Sequence, residues 1–264
     1  MIELNPQAQA ASRADVMRAI RGAASATGTN FDYLVKTAQR ESNFRSDAKA
    51  STSSATGLFQ FTDSTWLRMV DRYGANHGLS VAADAISVSG RKISVDGGVS
   101  RADILALRND PDLSARMAGE LARENADILE KKIGRAPTDA ELYTAHFMGP
   151  HDAGRLIVAA RDNMPGSAAD MFPSAAAANA NVFKGAGGRS LTVGQLYQKL
   201  TGAELTAADT GKVAAATLGA PIAPAGRVAA FTISAGAAHM ASSLLDALFE
   251  IQTESAQKRS ENDA

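Results

Sequence analysis

The chain contains no cysteine. That excludes disulfide staples, thiolate metal sites and cysteine nucleophiles, but it fixes no compartment, because 264 residues can bury a core that needs no cross-links. An excess of charge of either sign is lacking too. The 27 Lys and Arg residues balance 28 Asp and Glu, for a formal net charge of -1, so nothing marks a nucleic-acid partner. No stretch approaches the roughly 20 apolar residues needed to span a bilayer. The first residues lack the uninterrupted apolar core of a secretory signal, since Arg13, Asp15, Arg18 and Arg21 stand where it would lie. The four histidines, His77, His146, His151 and His239, show no zinc-type spacing, so neither a metal nor another cofactor is expected. What is present is ordinary for a globular protein: 45% hydrophobic and 21% charged residues, with no internal repeat.

Against that plain background, residues 41 to 66, ESNFRSDAKASTSSATGLFQFTDSTW, stand out. Leu34, Ala38 and Glu41 fall at i, i+4 and i+7, so the carboxylate shares a helical face with two apolar residues. Apolar surroundings disfavour the ionised form of a carboxyl, which suits a general acid. A Glu at a helix end that simply points to solvent is the competing reading. A short loop rich in Ser, Thr, Ala and Gly follows.

The string Glu41-Ser42-x-Phe44, then Ala48, then Ser54-Ala55-x-Gly57-Leu58-Phe59-Gln60, then Thr65-Trp66 resembles the signature of the soluble lytic transglycosylase family, whose fold is related to goose-type lysozyme. Where the family has Gly-Ala this chain has Ser54-Ala55, and its loop is one residue longer. A second anchor lies at TDAELYTAHFMGP, residues 138 to 150. Thr138 with Glu141 reads as a capping box and Gly149-Pro150 as a stop. The family carries A-Y-N-A-G-P here, where this chain has Ala145, His146, Phe147, Met148, Gly149 and Pro150. The scaffold residues match and the functional ones differ. In the family the Tyr lies beside the catalytic Glu and the Asn contacts sugar. His146 or Tyr143 would have to stand in for that Tyr, and no residue replaces the Asn. The A-H-F-x-G form is similar to that of a divergent branch of these enzymes.

The resemblance implies a single catalytic Glu, Glu41, that cleaves glycan strands of peptidoglycan by protonating the glycosidic oxygen. As a carboxylate it then deprotonates the sugar's C6 hydroxyl, which closes a 1,6-anhydro ring. It also implies a place for the neighbours. Ser42 would bond the Glu or the substrate's N-acetyl group, or alternatively satisfy the helix end. Gly57 would let backbone approach the glycan, or supply a turn with positive φ. Gln60 would contact sugar, or cap the next helix. Phe59 and Phe61 would wall the site, at least one of them being core. Ordinary glycosidases need two carboxylates, and neither Asp47 nor Asp63 shows a partner pattern. A muramidase that hydrolyses with water, and a non-enzymatic secretion, flagellar or phage assembly protein on a lysozyme-like body, are the other two classes left open. The substrate implies action in the periplasm or cell envelope.

Along the chain, the expected architecture is mainly α. Helices are expected at 13–25, ending at Gly28, and then on the segment capped by Asn30 that carries Glu41. A third, at 62–74, has Trp66, Met69, Val70 and Tyr73 as its stripe and Gly74 as its stop. A small hairpin pairs Ile86–Val88 with Ile93–Val95. A long helix opens at Pro111, runs through Met117, Leu121, Ile128 and Lys132, and closes at Gly134. Helices at 139–148 and 152–161 follow, then an irregular strap to Gly188 and a helix at 192–200. Residues 1–205 are thus expected to be a lysozyme-like catalytic domain. Residues 206–234, with Pro221 and Pro224, read as linker. Residues 235–264 read as an amphipathic helix with a polar tail, its stripe formed by Met240, Leu244, Leu248 and Ile251 and suited to docking back on the catalytic body, to self-association, or to a secretion, flagellar or phage assembly partner.

Overall fold

A computed structural model describes residues 11–202, apart from Thr52 and Arg91. The linker and the amphipathic helix expected beyond residue 205 lie outside the described residues. The protein is mainly helical, with one two-stranded antiparallel sheet among the described residues. It divides into two units, the first ending at Glu124 and the second beginning at Asn125. Among the described residues no helix is long and apolar enough to cross a membrane.

In the first unit, helix α1 (Arg13–Thr27) starts at Ser12, whose hydroxyl accepts the Asp15 N–H, and stops at Gly28 in the left-handed region. Val16, Ala19, Ile20 and Ala23 form its buried face at helical spacing. The Asn30 side chain caps α2 (Phe31–Ser42) by accepting the Tyr33 N–H at 3.1 Å. Helix α3 (Asp63–Tyr73) is capped by Thr62 and buries Trp66, Leu67, Met69 and Val70. Leu67, rather than the expected Tyr73, completes its core stripe; Tyr73 is half-buried, with its hydroxyl 3.3 Å from Glu124. Gly74 caps the end of α3, as expected, with its N–H on the Val70 carbonyl. It keeps right-handed helical angles, so a 3₁₀ turn continues to His77 before Gly78 (φ 81°). The His77 ring lies 3.0 Å from Glu120 within this unit, Nε2 to Oε1, with both side chains buried.

Helix α4 (Ser80–Asp84), strands β1 (Ile86–Ser89) and β2 (Lys92–Val95), and helix α5 (Arg101–Ala106) follow. The strand register pairs Ile86 with Val95 and Val88 with Ile93, as the alternation predicts. A 3₁₀ turn, Leu107–Asn109, leads from α5 to α6 (Pro111–Ile133), which runs past the division at Glu124. Of the positions named along α6, only one is buried. Met117 is buried, but the face continues through Asn125, Leu129 and Ile133; Ile128 is half-buried and Lys132 exposed. The polar Asn125 interrupts the apolar repeat that would have revealed it.

In the second unit, α7 (Asp139–Met148) opens with the complete Thr138–Glu141 capping box, and α8 (Pro150–Arg161) has Pro at its start. The strap folds into two short helices, α9 (Ala168–Met171) and α10 (Pro173–Ala178). Phe172, Val182 and Phe183 anchor it in a core shared with Leu129, Leu156, Ile157 and Leu196. Helix α11 (Val193–Thr201) closes the described chain with a second capping box, Thr192 and Gln195.

Candidate active site

Glu41 is 8% exposed and lies in the last turn of α2, on the face that also buries Leu34, Thr37 and Ala38. The helix ends abruptly after it. Asn43 (φ 49°) and Phe44 (φ 64°) both take left-handed angles, which a bulky residue such as Phe adopts only under compulsion. Burial of the Phe44 ring, with the Arg13 guanidinium 4.2 Å from its centroid, supplies the compulsion. Gln60 is left-handed too (φ 49°). Of the four such non-glycine residues among those described, three therefore lie in the segment that carries the motif. Backbone strain of this kind persists where surrounding contacts over-determine it, and it gathers at functional sites.

Those contacts are visible residue by residue. The Ser42 hydroxyl lies 2.8 Å from the Leu58 carbonyl and 3.2 Å from that of Ala38, so it fastens the helix end to the loop. The Gln60 side-chain amide donates to the carbonyls of Ala48 (3.1 Å) and Gly57 (2.8 Å) and folds the loop on itself. The Gly57 N–H donates to Ala48 and the Thr56 N–H to Phe61. Both Ser42 and Gln60 thus spend their donors on loop backbone. The next helix is capped by Thr62 rather than by Gln60.

Gly57 is required twice over. Its φ is 85°, and a Cβ built on it would lie 2.0 Å from the Arg108 carbonyl oxygen. The close approach that the glycine permits is to the protein's own 3₁₀ turn. Phe59 and Phe61 are 2% and 4% exposed. Both rings lie under the loop as core, with Phe61 edge-on to Trp66 at 5.4 Å, so in this structure neither provides the wall for sugar expected of them. The Trp66 indole N–H donates to the Ile104 carbonyl at 2.7 Å, tying α3 to α5.

The two aspartates near the motif have other engagements. Asp63 accepts from Arg108 at 2.8 Å, and the exposed Asp47 pairs with Arg45 at 3.5 Å. Glu141, in the second unit, is fully buried and accepts four hydrogen bonds, two from Arg135 and one each from the Thr138 N–H and the Tyr197 hydroxyl. Burial raises its pKa, but these donors outweigh burial and hold it below the ordinary carboxylate value.

Tyr143 and His146 also belong to the second unit. They lie one turn apart on α7, with their rings stacked at 5.9 Å. Within the first unit, then, the structure brings together Glu41, Ser42, Gly57, Phe59 and Gln60. Sequence reasoning missed Arg108, whose guanidinium is bonded to the same loop. Among the described residues no group of His, Asp and Glu side chains has the arrangement of a metal site. No family model matches this chain.

Proposed function

We propose that the protein is a peptidoglycan lytic transglycosylase with a lysozyme-like catalytic body and Glu41 as its one catalytic carboxylate. The observation that carries this reading is the construction around Glu41. A buried carboxyl ends a helix beside a strained loop whose backbone is held by Ser42 and Gln60, the residues that complete the Glu-Ser and Gly-Leu-x-Gln parts of the motif. A rigid loop beside a buried carboxyl is what the placement of a substrate bond requires.

Glu41 donates its proton to the oxygen leaving between N-acetylmuramic acid and N-acetylglucosamine, and the substrate's own N-acetyl group stabilises the charge that develops. The resulting carboxylate takes the proton of the C6 hydroxyl as that oxygen attacks C1. Proton and electrons balance without water, and one residue serves both steps because the first leaves it ready for the second. The engagement of Asp63 by Arg108 and the exposure of Asp47 support a mechanism with no second carboxylate. The substrate places this work in the cell envelope.

Digestion of purified sacculi followed by mass spectrometry tests the proposal. Anhydromuramoyl ends, one water lighter than reducing ends, are expected from the wild type. Reducing ends would instead make the protein a muramidase, and intact glycan would remove the enzymatic reading.

A further inference from the structure

The loop beside Glu41 is held from outside as well as from within. Arg108, in the 3₁₀ turn Leu107–Asn109, is 8% exposed and points its guanidinium at the loop. Its Nη1 lies 2.7 Å from the Ser54 carbonyl, 3.0 Å from the Phe61 carbonyl and 2.8 Å from Asp63 Oδ1. Its Nε donates to the Leu105 carbonyl at 2.8 Å, which locks the side chain to its own turn. Ser54 and Phe61 bracket the segment Ala55–Gln60, so one nitrogen pins both of its ends, while Ser42 pins its middle at Leu58. The Arg108 carbonyl oxygen also fills the space beside Gly57, so backbone and side chain of one residue grip the loop at three points. Burial lowers the pKa of the guanidinium and Asp63 opposes that fall; Arg remains charged wherever the protein folds.

We propose that Arg108 is a positioning residue for this site, setting where the loop Ala55–Gln60 stands beside the end of α2 and so where a glycan bond meets Glu41. The catalytic half of this statement rests on the transglycosylase reading; the structural half does not. Misplacement of reacting groups by about 1 Å costs up to about 100-fold in rate, so the grip matters to turnover beyond its contribution to stability.

Two measurements on the full chain separate these halves, using Arg108→Met, Arg108→Lys and the control Ile20→Val, a truncation in the buried face of α1. Amide hydrogen exchange without substrate reads the loop directly. Thr56, Gly57 and Gln60 amides should exchange at least about 10-fold faster in Arg108→Met relative to α2 amides, whereas Ile20→Val should not single out the loop. No selective acceleration overturns the proposal. On sacculi, kcat should fall at least about 10-fold in Arg108→Met and recover partly in Arg108→Lys, which keeps a charged donor but loses the fork. Ile20→Val should keep kcat within about twofold, since its effect is confined to packing. A loosened loop with unchanged kcat overturns the positioning role. A wild type that cleaves no glycan overturns the transglycosylase reading and with it the catalytic half, while exchange still decides whether Arg108 sets the loop. If Arg108→Met fails to fold, Arg108→Lys carries both readouts, and wild-type behaviour in both refutes the proposal.

Discussion

Glu141 lies in the first turn of α7, where a helix presents N–H groups, and Glu41 lies in the last turn of α2, where it presents carbonyls. Both are buried, at opposite ends of their helices. Around Glu141 the chain gathers a guanidinium, a backbone N–H and a phenol onto the two oxygens, which stabilises an anion and fixes the start of α7. Next to Glu41 the chain holds a loop whose shape is specified by Ser42, Gln60 and Arg108. Burial alone therefore does not tell the two acids apart. Under the proposed function, the rigid loop beside Glu41 does.

Exchanging the two glutamates for glutamine is the sharpest way to break this comparison. Glu41→Gln keeps the size and loses the proton, so cleavage of sacculi should fall at least about 100-fold with the thermal midpoint nearly unchanged. Glu141→Gln should do the reverse. Loss of the carboxylate removes the negative charge that Arg135 faces and should cost about 2–3 kcal/mol of stability, below the cost at a fully buried pair because Arg135 is part-exposed. Denaturant unfolding and a sacculus assay on both variants check the crossing, and a matched pattern in the two would dissolve the distinction.

Gly57→Ala comes next, at roughly 2 kcal/mol, because alanine meets both the left-handed backbone and the Arg108 carbonyl. Exchange at the loop amides should rise before any change at α1.

A smaller effect follows from acid. The Glu141 pKa lies below 4.5 in the folded protein, and the unfolded chain takes the ordinary value. Between the two the unfolded state binds more protons. The stabilisation is therefore complete above about pH 4.5 and is lost as pH falls through the folded value. The stability gap between wild type and Glu141→Gln should narrow across that window, and a gap that stays constant would show that the ion pair does not set it.

The smallest effect is expected at His146→Ala, about 1 kcal/mol or less, for the loss of stacking on Tyr143. A loss of cleavage well beyond that change would assign His146 to the substrate.

Much of the local structure was legible because its causes are local. Ser12, Asn30 and Thr138 announce helix starts within three residues of the N–H groups they cap, Gly28 announces a helix end, and the Ile86–Val95 pairing follows from alternation. The positive φ of Gly57 was legible for the same reason. The buried face of α6 was not, because Asn125 stands where the apolar repeat should continue. At least one of Phe59 and Phe61 is expected in the core, and only the packing beneath the loop shows that both are there. Arg108 was hidden most thoroughly, since its acceptors at Ser54, Phe61 and Asp63 lie 54, 47 and 45 residues away and its own neighbours carry no motif.

The loop's fastenings have one trait in common: Ser42, Gln60 and Arg108 reach the carbonyls of Ala48, Ser54, Gly57, Leu58 and Phe61. Every amino acid carries such an oxygen. The grip is thus largely indifferent to the other side chains the loop displays, provided that Gly57 and Gln60 stay and the apolar residues beneath still pack. Positions such as Ser51 and Thr56 can drift through many substitutions, altering what the outer surface offers while the contour beside Glu41 stays constant. Under the proposed function, a rim with that freedom can be retuned to new glycan decorations without rebuilding the loop under it.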